Sequence, residues 1–233
     1  MANAHAGWDV EGEPVEVGID RSQPRSHDED RSRSARKRRV IMEAATTAFL
    51  RNGYLGTSMD DIATLAAVSK QTVYKQFADK QRLFTEIIRA VSDQVIDELV
   101  KTATLALLDT EDVERDLGAL ARELLSSITR PQVVRLRRLV IGEAGRFPEL
   151  GRSYWERGFE RGLNTLASSL RQLAERGLLH VDDPLLAAHH FAGMILWVPV
   201  NKLMFTGEDD LLTGAELERY ADAGVHAFLA AYG

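Results

Sequence analysis

The chain has no cysteine among its 233 residues. That excludes disulfides and argues against a structural zinc site, because such sites lean on thiolates. No apolar run follows a basic start, so no secretory signal is read and the expected compartment is the cytoplasm. Alternating polar and apolar stretches of useful length are missing, which removes strands and leaves an all-α fold class. Also missing are a nucleophile elbow, an H-E-x-x-H pair and a phosphate-binding glycine loop, so no enzyme activity, cofactor or metal is expected. His189 and His190 are adjacent and on a helix project about 100° apart, poor geometry for sharing a metal. They read as a packed and an interfacial histidine.

The one long stretch without formal charge, PLLAAHHFAGMILWVPVN from Pro184 to Asn201, meets the length of a membrane-spanning candidate. It carries His189, His190, Gly193, Pro199 and Asn201, and nothing else in the chain resembles an anchor. A buried helix is expected there, and no membrane association.

What the chain does have is charge that is unevenly placed. The net charge is -6, which by itself argues against nucleic acid. Residues 31–80, however, hold ten Lys/Arg against four Asp/Glu, whereas residues 1–30 hold two against eight. The first thirty residues, rich in Gly, Pro, Ser and acid, read as a disordered acidic tail. A basic run follows immediately before the first helix (Arg31, Arg33, Arg36, Lys37, Arg38, Arg39); it reads either as a solvated helix entry or as an arm that reaches phosphates or the adjacent minor groove.

Residues 57–84, TSMDDIATLAAVSKQTVYKQFADKQRLF, carry the most information. Ser58 with Asp61 forms a capping pattern, and Met59, Ile62, Ala63 and Ala66 recur on one helical face. Ala66, Ala67 and Val68 make a small apolar turn, and Ser69 caps the next helix. In that helix Val73 and Phe77 point inward. Lys70, Gln71, Thr72, Tyr74, Lys75 and Gln76 remain on the other surfaces, the residue types that pair with base edges and phosphates, and the capping Ser69 is a DNA-binding candidate beside them. This is a helix-turn-helix, and double-stranded DNA is the expected partner.

With AATTAFLRNGY ahead of it and DKQRLF behind it, the segment from about Arg36 to Phe84 resembles the DNA-binding domain of the TetR family of bacterial transcriptional regulators. The resemblance implies that residues 69–77 lie in the major groove, with Lys70, Gln71, Thr72 and Lys75 at base edges or nearby phosphates. It also implies that Tyr74 and Lys80 grip the backbone and that Thr57 and Ser58 sit beside a phosphate. One position departs from the family: the turn usually has Gly where this chain has Ala67. Left-handed backbone there would cost alanine about 1 kcal/mol or more, so either the turn geometry differs or strain is tolerated.

Beyond residue 80 the pattern is amphipathic and helical throughout, giving a regulatory and dimerisation domain over 81–233. A stripe of Leu83, Phe84, Ile87, Ile88, Val91, Val95 and Leu99 implies a long helix over 80–107, and further helices are expected near 112–129, 132–145, 148–177, 182–205 and 214–231. RRLVIGEAGRFPELGRSYWERG resembles the C-terminal domains of regulators related to AefR, with Arg137, Arg138, Glu143 and Arg146 read as solvated charges. The family resemblance implies a homodimer through 182–205 and 214–231, and a small-molecule effector in the second domain. Candidate lining residues are Phe147, Tyr154, Trp155, Phe159, Phe191, Met194, Trp197 and Met204, which suit a hydrophobic or aromatic ligand. Each has a bland alternative as core or interface. The whole has an alternative too: a DNA-binding regulator that responds to a protein partner or to no ligand.

Overall fold

The computed structural model describes the backbone of residues 27–209 and 211–233, and every regular element among the described residues is helical. The expected acidic tail over 1–30 thus falls outside the described residues as far as 26. The first helix, α1 (His27–Asn52), takes in 27–30 and the whole basic run 31–39. The arm expected ahead of the first helix is therefore the N-terminal part of that helix. Its sequence explains this: RSRSARKRR supplies Arg, Lys and Ala, all good helix formers, and contains neither Gly nor Pro. Arg36 and Lys37 are exposed on it. The chain divides into two compact units at Arg39/Val40.

The second unit continues with α2 (Met59–Leu65), α3 (Lys70–Gln76), α4 (Lys80–Leu108), α5 (Val113–Ile128), α6 (Pro131–Glu143) and α7 (Pro148–Tyr154). A π-helical segment, Trp155–Glu160, leads into α8 (Arg161–Glu175), and α9 (Pro184–Thr206) and α10 (Gly214–Tyr232) complete it. Local chemistry sets most of these boundaries. Ser58, Ser69, Asp79, Asp112, Asp183 and Thr213 each accept a hydrogen bond from a backbone N–H in the first turn of the helix they precede, worth about 1 kcal/mol apiece. Gly53, Gly177 and Gly207 take positive φ just past the ends of α1, α8 and α9, the conformation that stops a helix.

The interior holds separate buried clusters. One buried cluster holds side chains of the helix-turn-helix segment over 36–84, the reader, among them Ile41, Phe49, Tyr54, Ile62, Val73, Phe77 and Phe84, together with Leu136 and Val140 of α6 and Leu150 of α7. A second joins α5, α8, α9 and α10 through Leu117, Leu125, Leu170, Phe191, Ile195 and Phe228. Helices α6 and α7 are thus built into the reader's core, and α4 runs from that core to Leu107 in the second.

The candidate nucleic-acid interface and an apolar cavity

Helices α2 and α3 stand on the buried side chains Ile62, Val73 and Phe77, and what they leave outward is the candidate reading surface. Gln71, Tyr74 and Lys75 are exposed, and Thr72 is half-buried. The side chains of Gln71 and Lys75 form no hydrogen bond or ion pair among the described residues. Lys70 is engaged: its ammonium lies 2.8 Å from the carboxylate of Asp60, and that hydrogen bond raises its proton affinity. Both partners are exposed, so the pair contributes little to stability and can exchange for a phosphate. Ser69 caps α3 by accepting from Thr72 N–H at 3.2 Å, and its Oγ lies 2.8 Å from Thr72 Oγ1.

Two of the candidate phosphate contacts turn inward instead. Thr57 is 2% exposed and its Oγ1 donates to the Gly53 carbonyl at 2.8 Å. Ser58 is exposed but belongs to a capping box, accepting from Asp61 N–H at 3.1 Å while Asp61 accepts from Ser58 N–H at 3.0 Å. The Ser58 hydroxyl, which donates to the Asp61 carboxylate at 2.6 Å, and then the Ser58 N–H hold the Asp61 carboxyl below its ordinary value. Lys80 donates to the carbonyls of Tyr54 and Thr57, each at 2.8 Å, and sits 4.4 Å from the centroid of the Tyr54 ring. Burial, with help from the Arg146 charge, lowers its proton affinity. Two of its three donors are committed to holding α4 against the loop before α2.

Ala67 answers the question its sequence position raised: its φ is 51°, so the left-handed turn is kept and the strain is tolerated. Ala67→Gly is expected to stabilise the protein by roughly 0.5–1 kcal/mol, read as a higher urea midpoint at an unchanged slope. A lower midpoint would show that the turn is not strained.

Between α4, α5, α6, the π-helical segment, α8 and α9 lies a partly open cavity of about 110 Å3. Its wall is almost wholly aliphatic and aromatic. Of the candidate ligand residues, Tyr154, Phe159 and Phe191 line it. The others lie elsewhere. Phe147 packs edge-on against Tyr54 at 5.0 Å beside the reader's core, Trp155 is exposed and stacks on Phe159 at 5.3 Å, and Met194 and Trp197 project outward from α9. Met204 is half-buried on α9 and does not line the cavity.

The sequence reading misses two arginines here. Arg137 and Arg138 read as solvated charges, but Arg137 is 7% exposed in the cavity wall. Its Nε donates to Tyr154 Oη at 3.3 Å, and its guanidinium lies 4.8 Å from the Phe159 centroid. Arg138 donates to the carbonyls of Leu203, Gly207 and Glu208 and pairs with Asp209, which satisfies the C-terminal end of α9 with positive charge.

Residues 41–87 match the family described as bacterial regulatory proteins, tetR family, and residues 115–233 match the AefR-like transcriptional repressor, C-terminal domain. The chain belongs to the TetR family. It therefore belongs with transcriptional regulators and not with enzymes. A solved TetR-family protein of Mesorhizobium loti MAFF303099 is 49% identical, with 86% of this chain and 98% of that one covered and a TM-score of 0.82. The flavonoid-responsive regulator FrrA is 31% identical over 85% of this chain and 97% of its own, with a TM-score of 0.67. YhgD of Bacillus subtilis (strain 168), described as an uncharacterized HTH-type transcriptional regulator, is 36% identical over 84 residues, which is 36% of this chain and 44% of that protein. The chain thus matches under half the length of that curated relative.

In the TetR fold seen here, α9 is neither a membrane span nor fully buried. No helix among the described residues is long and apolar enough to cross a membrane. Its inner side, including Phe191 and Ile195, is buried, while Leu186, Met194, Trp197, Val198 and Phe205 are exposed, Trp197 by 71% and Phe205 by 87%. His189 and His190 are both exposed, so neither is packed as expected. His190 Nδ1 lies 2.6 Å from Tyr232 Oη.

Proposed function

We propose that this regulator works as a cytoplasmic homodimer that reads a near-palindromic site on double-stranded DNA and represses transcription until a small apolar effector fills the cavity. Helix α3 enters the major groove. Gln71 and Lys75 reach base edges or adjacent phosphates and Tyr74 holds the backbone, with Lys70 available once it leaves Asp60. Dimerisation through α9 and α10 covers the exposed apolar face of α9 and sets two readers at the spacing of successive major grooves.

One observation carries the effector reading. Leu136 lines the cavity and also belongs to the buried core of the reader, and Tyr154 lines the cavity while packing against that same core. A ligand that displaces these side chains, or the Val91 and Val95 surface of α4, acts on the packing that positions α2 and α3. Release requires only that the ligand prefer the cavity shape of the non-binding state. The name of the similar protein FrrA, a flavonoid-responsive regulator, supports an effector with a largely aromatic body.

Selection of bound DNA from a random pool tests the reading. Wild-type protein is expected to enrich a dyad-symmetric site, and Tyr74→Ala and Lys75→Ala are each expected to weaken binding to it by about tenfold or more. A pool in which no such site is enriched removes the proposal.

A further inference from the structure

Two buried polar groups in the cavity wall, Arg137 and Ser92, are incompletely satisfied. Arg137 is nine-tenths buried. A guanidinium has five N–H donors and stays charged at any physiological pH; here one donor reaches a neutral phenol oxygen, Tyr154 Oη. No carboxylate among the described residues pairs with Arg137. Ser92, on α4, is 5% exposed, and its buried Oγ has no hydrogen-bond partner. It lines the cavity together with Arg137.

Each group is costly as it stands. A buried cation without a counter-charge is destabilising relative to a paired one, and buried hydroxyls without partners are rare enough to call for a cause. One ligand feature would relieve both: an oxyanion on an otherwise apolar molecule. We propose that the effector is an amphiphilic anion, with an aromatic or aliphatic body against Val95, Ile96 and Phe159 and a single carboxylate or similarly acidic oxygen held by Arg137 and Ser92. This rests on the cavity being the effector site and adds the chemical class of what occupies it. The oxyanion would accept from the guanidinium on α6 and from the hydroxyl on α4. Those two helices both contribute to the reader's core.

Two dyes of nearly the same shape separate the claims. N-Phenyl-1-naphthylamine is neutral, and 8-anilinonaphthalene-1-sulfonate adds one anionic group. Both brighten in apolar surroundings, so binding to the full-length protein is read by fluorescence titration. The anionic dye is expected to bind about 10- to 100-fold more tightly than the neutral one, the range of a hydrogen-bonded buried charge. Arg137→Met, which keeps the stem and removes the charge, should abolish that advantage and leave the neutral dye within about twofold. Ser92→Ala should reduce it in part. Gly158→Phe serves as the site control: an added Cβ there meets no atom within 4 Å, Gly158 lines the cavity, and the ring is expected to block both dyes. Thermal melts of each variant confirm that it is folded.

Equal affinity of the two dyes for wild-type protein, or a tight anionic complex that survives Arg137→Met, overturns the anion assignment while leaving the cavity as an apolar site. Failure of both dyes to bind, or binding that Gly158→Phe does not touch, overturns the cavity reading along with it.

Discussion

Trp197→Asp is expected to convert the protein to monomers and to lower its affinity for a dyad-symmetric operator by more than about 100-fold, the usual worth of linking two modest binding events. The expectation comes from the outer face of α9. Leu186, Met194, Trp197 and Phe205 are spaced so that they share one side of the helix, and all are exposed. A tryptophan alone presents about 200 Å2, and a contiguous apolar patch of this kind on a lone chain marks an association surface. A carboxylate at its centre would have to be buried without a partner in the dimer, while in the monomer it is simply solvated. The mass in solution is read by analytical ultracentrifugation and DNA affinity by gel shift. A variant that sediments as the wild type does and binds as tightly would move the dimer interface elsewhere.

The second large effect is on stability. Lys80→Met is expected to destabilise the reader by about 2–4 kcal/mol, from the loss of charged hydrogen bonds to two carbonyls and of the ring contact. The methionine stem still fills the space beside Tyr54, so the loss is chemical and not a cavity. Tyr54 is also the ring on which Phe49, Phe84 and Phe147 meet, so loosening its carbonyl loosens the loop before α2 and the start of α4 together. Urea unfolding checks this. If the variant kept wild-type stability and lost only DNA affinity, Lys80 would be the phosphate grip that the family resemblance implies and not a latch.

How far the sequence could be read depended on how local the cause was. The expected helices near 112–129, 182–205 and 214–231 appear as Val113–Ile128, Pro184–Thr206 and Gly214–Tyr232, because caps and Pro or Gly punctuation act within a turn of the residue itself. The helix-turn-helix was legible for the same reason, its caps and apolar face lying within 28 residues. The single helix expected over 148–177 is interrupted by a π-helical segment at Trp155–Glu160. Segments of that kind are frequent at functional sites, and here Gly158 and Phe159 line the cavity.

The apolar side chains of the C-terminal half illustrate the limit. Phe147, Phe159 and Trp197 look alike in a hydrophobicity pattern, yet one lies beside the reader's core, one lines the cavity and one faces outward. Periodicity reports that a residue is apolar and on which side of its own helix. It carries no information about which of several interiors that side will meet.

The sequence by itself determined that this is an all-helical TetR-family chain with a capped helix-turn-helix, an alanine where the family's turn usually has glycine, and a locally basic segment over 31–80 in an acidic protein. Each of these depends on neighbours within a few positions along the chain. Only the tertiary structure decided that Lys80 and Thr57 turn inward and that α6 belongs to the reader's core. It also decided that Arg137, one of three arginines in RLRR at 135–138, is the one facing a cavity. Successive helical residues point about 100° apart, so which of them is buried depends on where the neighbouring helices pack, and that is set by residues far away along the chain.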